Sequence, residues 1–142
     1  MGETTDAARL DGDLRAELAA ATTYEQALLH VEGPQLRNLF EKNRKSHAAR
    51  AVTLGQMIRR RGTTPSQTAG LWSAFAILAE RTAANIGEHA LIQALHQGEK
   101  LLTSRYRAHR EELDEAMAPA FESHVLEPQM TCQRRLAEVL PS

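Results

Sequence analysis

The sequence predicts an all-α domain: a four-helix bundle made of two antiparallel hairpins joined by a long crossover. Three observations carry this. Aromatic residues are only 4% of the chain, and Ala, Leu, Glu, Arg and Gln dominate, so a core of small aliphatic side chains on strong helix formers suits packed helices better than a sheet. Turn and breaker residues divide the chain into four long segments. Two of the three connections are short, whereas the middle one runs roughly 25 residues, which an up-down-up-down bundle would not need.

The elements follow from those breaks. The first segment runs from Asp6 to Glu32 and ends at Gly33-Pro34, where a proline suited to a first helical position opens the second segment, Pro34 to Arg61. That segment closes on Arg59-Arg60-Arg61-Gly62, a basic last turn followed by a helix-ending glycine. Thr63-Thr64-Pro65-Ser66 begins a loop that reaches Gly70, and a shorter helix is expected over Leu71 to Ile86. Gly87 precedes the third segment, Glu88 to Glu112, and a break before Pro119 separates it from the fourth, Glu115 to Leu140. Residues 1–8 are expected as a disordered tail ahead of a single domain over 9–142. The two hairpins have similar lengths but no evident residue-level similarity.

Composition narrows the function classes. A net charge of -1 removes the electrostatic case for a nucleic-acid partner. A single cysteine excludes an internal disulfide and any all-cysteine zinc site. The N-terminus has neither a basic start nor an apolar run, and the most apolar stretch, Leu71 to Ala79, is too short to cross a bilayer, so no membrane partner and a cytoplasmic location are expected.

Each long segment carries an apolar stripe at helical spacing that turns polar in its middle. The first reads Leu14, Leu18, Ala21, Glu25, Leu28, and the second Leu36, Phe40, Asn43/Arg44, His47, Ala51, Leu54, Ile58. The third reads Leu91, Leu95, Glu99, Leu102, Tyr106, and the fourth Phe121, Val125, Gln129, Cys132, Leu136, Val139. Ionisable groups are rarely buried without partners, so four mid-helix interruptions call for a common cause. Reflecting each hairpin about its loop brings Glu25, Arg44, His47, Glu99, Gln129 and Cys132 toward one level, with Tyr24 and Tyr106 as flanking donors.

At these residues the chain resembles the ferritin-like superfamily. Carboxylate-bridged di-iron bundles use one Glu from each of two helices and a Glu-x-x-His pair from each of the other two. Glu25 and Glu99 stand for the single carboxylates; Arg44-x-x-His47 and Gln129-x-x-Cys132 stand for the pairs. The segments Tyr24-Glu25-Gln26-Ala27-Leu28, Leu36-Arg37-Asn38-Leu39-Phe40, Gly70-Leu71-Trp72-Ser73-Ala74-Phe75 and Gln97-Gly98-Glu99-Lys100 are similar to a bacterial branch of ferritin-like proteins that carries no assigned activity. The resemblance implies a ferritin-like fold with a degenerate di-iron ligand set and, by analogy alone, a link to stress or metal homeostasis. Arg44 cannot lose its proton to coordinate a metal, and Gln129 and Cys132 replace a carboxylate and a histidine.

Three arrangements of the polar centre remain open. A vestigial site closed by a buried Arg–Glu network would set Arg44 between Glu25 and Glu99, with Asn43, His47 and Gln129 completing the hydrogen bonds and no cofactor. A single iron or zinc ion could instead be held by Glu25, His47, Glu99 and Cys132, which would make the protein a metal-binding oxidoreductase. Offset stripes would leave each polar group to water. A fourth idea concerns His47 alone: His47-Ala48-Ala49-Arg50 resembles the site of histidine-phosphotransfer bundles, although Ala51 stands where these usually carry Gly and the histidine there must be exposed. Trp72, Phe75 and Leu78 form an apolar face that would cover the bundle or pair two copies as a homodimer.

Overall fold

The computed structural model describes residues 2–69 and 87–140, with side chains from Asp6 onward. Among these residues every regular element is helical. Helix α1 spans Gly2–Ala27 and runs into a 3-10 turn over Leu28–His30; α2 spans Pro34–Arg60 and α3 Glu88–Glu112. The fourth long helix is composite: α4, Ala118–Phe121, continues through a π turn over Glu122–Leu126 into α5, Glu127–Val139. Helix α1 packs chiefly on α2, and α3 on α5, so the expected pair of hairpins is present. The crossover helix over Leu71 to Ile86, with its Trp72 face, lies outside the described residues. No helix among the described residues is long and apolar enough to cross a membrane.

The helix ends form where the sequence put its breakers. Gly33 is extended and Pro34 opens α2, while the Arg37 guanidinium donates to the Val31 carbonyl at 2.7 Å and to that of Leu28, closing the turn from the far side. Gly62 takes φ 79°, a left-handed value that glycine adopts without penalty, and its N–H bonds the Arg59 carbonyl at 2.9 Å. Gly87, at φ 102°, plays the matching part before α3. Stretch 1–8, expected as a disordered tail, is helical from Gly2, and Asp6 and Ala7 are already buried.

A proline in a helix interior ordinarily kinks it, and the sequence places Pro128 inside the last segment. It stands instead within the first turn of α5, just past the π turn, where the Glu127 N–H bonds the Glu122 carbonyl five residues back. The wide turn takes up the disturbance that a proline ring imposes on the preceding turn, and the helix continues.

Two apolar clusters fill the bundle at different heights. One gathers Leu10, Leu14, Leu54, Ile58, Tyr106, Phe121 and Val125; the other gathers Tyr24, Phe40, Leu91, Leu95 and Leu136. Between them every long helix contributes a buried polar side chain: Glu17, His47, Arg50, Glu99 and Gln129. The polar middle anticipated in the stripes is a real layer across the core.

Candidate metal centre

Helical spacing sets each group in this layer. On α2, Asn43, His47 and Arg50 follow at intervals of four and three and share one inward face. Glu99 and Tyr106 do so on α3, and Gln129 and Cys132 on α5. From α1 come Glu17 and, two turns on, Tyr24.

His47 is the hinge of the layer. Its Nδ1 faces Glu17 Oε1, and its Nε2 lies 2.9 Å from Glu99 Oε1. Both ring nitrogens therefore address carboxylates and both carry protons. Burial alone would drive the imidazolium to its neutral form, but the charges of Glu99 and Glu17 outweigh it and push the His47 pKa up to about 10. Arg50, only 2% exposed, donates through Nε to Glu17 Oε2 at 2.8 Å and through Nη2 to Gln129 Oε1 at 3.0 Å. The same Nη2 is 3.5 Å from Cys132 Sγ and 2.8 Å from His47 Nδ1. Two cations stand side by side because Glu17 offers one oxygen to each. Burial raises the Glu17 carboxyl, yet Arg50 and His47 together hold it down at about 2.

Two tyrosines complete the layer. Tyr24 donates to Glu99 Oε2 at 3.1 Å, and Tyr106 to Glu17 Oε2 at 2.6 Å. Burial, then the carboxylate each one faces, raises both phenols well above their ordinary value, so both remain donors. Gln129 Nε2 donates to Glu99 Oε1 at 3.2 Å and to the Glu99 carbonyl at 3.1 Å. Asn43 donates to the Tyr24 hydroxyl at 3.0 Å and receives Arg135 at 3.1 Å. The centre thus holds two negative and two positive charges, with every carboxylate oxygen occupied.

Of the residues expected from the sequence, His47, Glu99, Gln129, Cys132, Asn43, Tyr24 and Tyr106 meet here. Glu25 and Arg44 do not. Glu25 is exposed, and Arg44 pairs on the outer face of α2 with Glu41, its Nε 2.6 Å away. Their places belong to Glu17 and Arg50, so the Arg–Glu network closes around Arg50 and Glu17 in place of Arg44 and Glu25. His47 is fully buried, which removes the phosphotransfer reading. One signal in the sequence would have found both missed residues. Glu17 and Glu99, Tyr24 and Tyr106, His47 and Gln129, and Arg50 and Cys132 are all separated by the same interval, 82 positions. The hairpins do correspond residue by residue at the centre, contrary to the reading of them as unrelated.

That correspondence tests the fit of a di-iron cofactor. With Glu17 and Glu99 as the single carboxylates, the paired positions are His47-x-x-Arg50 and Gln129-x-x-Cys132. Neither pair keeps a carboxylate, and a permanently charged guanidinium fills the layer beside Glu17. Two divalent ions would add positive charge to a neutral buried layer that already contains two cations, so this donor set does not fit a di-iron centre. A smaller set does suit one ion: His47, Glu99 and Cys132 each offer a ligand atom, all within 4.8 Å of one another and all buried.

A second polar cluster lies toward the other end of the bundle. Asp13 receives Arg105 Nε at 2.6 Å and faces His109 Nδ1 at 2.5 Å, while the His109 ring meets the Phe121 edge with centroids 5.0 Å apart. His109 and Asp13 are both buried, so each supplies the other with a polar partner inside the bundle.

The fold is similar to the crystal structure described as ferritin like, diiron-carboxylate proteins from Bacillus anthracis str. Ames, with a TM-score of 0.79 over 99% of each chain. At 17% sequence identity this likeness concerns the fold alone. A family model described as ubiquinone biosynthesis protein COQ7 matches residues 9–139. No curated protein matches the chain.

Proposed function

The chain belongs to the COQ7 family, and we propose that it is a non-catalytic member whose metal centre has been closed by an internal ion-pair network. The observation that carries this reading is the Arg50 guanidinium, buried at a paired-ligand position and bonded to Glu17 and Gln129. A guanidinium satisfies a carboxylate as a metal would, but it cannot bind oxygen or change oxidation state. The family's description concerns ubiquinone biosynthesis. This reading carries the ferritin-like bundle over to the present chain without any oxygen chemistry at a dinuclear site. The role that remains is structural or ligand-binding, within the stress or metal homeostasis that the ferritin-like resemblance implies.

The test is iron loading. The purified chain is incubated with ferrous iron under anaerobic conditions, desalted, and assayed for bound iron by elemental analysis and Mössbauer spectroscopy. The expected result is no dinuclear iron. Two coupled irons per chain would overturn the proposal.

A further inference from the structure

We propose that His47 Nε2, the Glu99 carboxylate and Cys132 Sγ bind a single thiophilic divalent cation of the zinc class, with Arg50 keeping the place of a second ion. This rests on the reading that Arg50 occupies one of two metal positions. A mixed sulfur, nitrogen and oxygen set is a zinc set, and three protein ligands leave a fourth position open. Ligands about 2.0–2.3 Å from a tetrahedral ion stand roughly 3.3–3.8 Å apart. The three atoms here lie within 4.8 Å of one another, so a small contraction encloses the ion.

The surroundings are already those of a metal site. Histidines that bind metal through one nitrogen usually donate the other N–H to a carboxylate, which fixes the tautomer. His47 does this with Nδ1 toward Glu17, leaving Nε2 pointed at Glu99. Tyr24 and Gln129 each hold one oxygen of Glu99, so the carboxylate keeps its orientation when an ion replaces the His47 contact. A divalent ion with one thiolate, one carboxylate and a neutral His47 is a neutral unit, as is the Glu17–Arg50 pair beside it. Access also exists. A surface cleft of about 340 Å³ is lined by Ser46 and Arg135, which bond Arg50 and Asn43 of the buried layer.

The test is a cobalt(II) titration of the full chain, followed by competition with zinc. One equivalent of cobalt is expected, with a thiolate-to-metal charge-transfer band that zinc abolishes. Cys132→Ser loses the band, Tyr24→Phe weakens cobalt binding by about 10–100-fold, and Glu25→Gln, on the exposed face of α1, leaves it unchanged. Circular dichroism checks that the variants are folded, and the wild-type band with its zinc competition is a readout that needs no variant. No uptake by the folded chain, or a band that survives Cys132→Ser, overturns the inference while leaving the non-catalytic reading intact. Two cobalt ions per chain would overturn both.

Discussion

At the paired positions of the first hairpin stand His47 and Arg50, both cationic; at the equivalent positions of the second stand Gln129 and Cys132, neither of them a basic residue. The single carboxylates, Glu17 and Glu99, and the tyrosines, Tyr106 and Tyr24, are matched. Both cations therefore come from one side, and Glu17 faces both whereas Glu99 faces only His47. The lesson is that a buried layer with two acids stays balanced when one hairpin supplies both positive charges and the other supplies neutral hydrogen bonds. Glu17 and Arg50 form an ion pair within the first hairpin, whereas His47 reaches across to Glu99 of the second.

The difference between the halves can be broken most forcefully at Arg50. Arg50→Ala leaves Glu17 buried with one cationic partner fewer and is expected to destabilise the protein by about 3–5 kcal/mol, measured by urea unfolding. A loss below 1 kcal/mol would mean that Arg50 is not the counter-charge.

Acid and alkali probe the same pairing from opposite directions. The Glu17 pKa is held at about 2 against an ordinary 4.5, so its contribution is complete above about 4.5 and lost as the pH falls through 2. The His47 pKa is raised to about 10 against an ordinary 6.5, so its contribution is complete below about 6.5 and lost as the pH rises through 10. Stability should therefore peak between about pH 4.5 and 6.5. His47→Gln should flatten the alkaline decline, and an unchanged alkaline limb in that variant would count against the imidazolium.

The neutral half should respond less. Gln129→Leu strips one hydrogen bond from Arg50 and others from Glu99, for an expected loss of about 1–3 kcal/mol, read from the same unfolding curves. At the foot of the scale, Arg44→Ala removes only a solvent-facing pair on one helix and should leave the unfolding midpoint where it was. A large effect there would restore Arg44 to the centre.

The fold was legible where breakers are strong. Gly87 and the charged end at Glu112 bound α3 as anticipated, and the short and long connections set the hairpins. The centre was legible on three helices because their apolar residues are large and one-sided: Leu91, Leu95, Leu102 and Tyr106 leave only one face on which Glu99 can lie. Helix α1 is different. Its alanines are spread around the helix, so periodicity does not select a face, and the stripe drawn through Leu18 and Ala21 led to the exposed Glu25 in place of Glu17. Arg50 was missed because arginine is ordinarily a surface residue, and nothing on α2 alone reveals the carboxylate that buries it. Comparison of the hairpins at a fixed interval would have supplied both.

The repeated spacing of the central residues has one more consequence. A bundle assembled from two identical hairpins has a two-fold axis through its centre, and every inward residue appears twice across it. An arginine at the position of Arg50 would then face its own copy, bringing two guanidiniums into a layer with too few acids to hold them. Only when the hairpins are joined in one chain can the copies diverge, one becoming arginine while the other becomes cysteine. Covalent fusion is thus what permits this centre to be asymmetric, and the crossover that connects the hairpins is the price of that freedom.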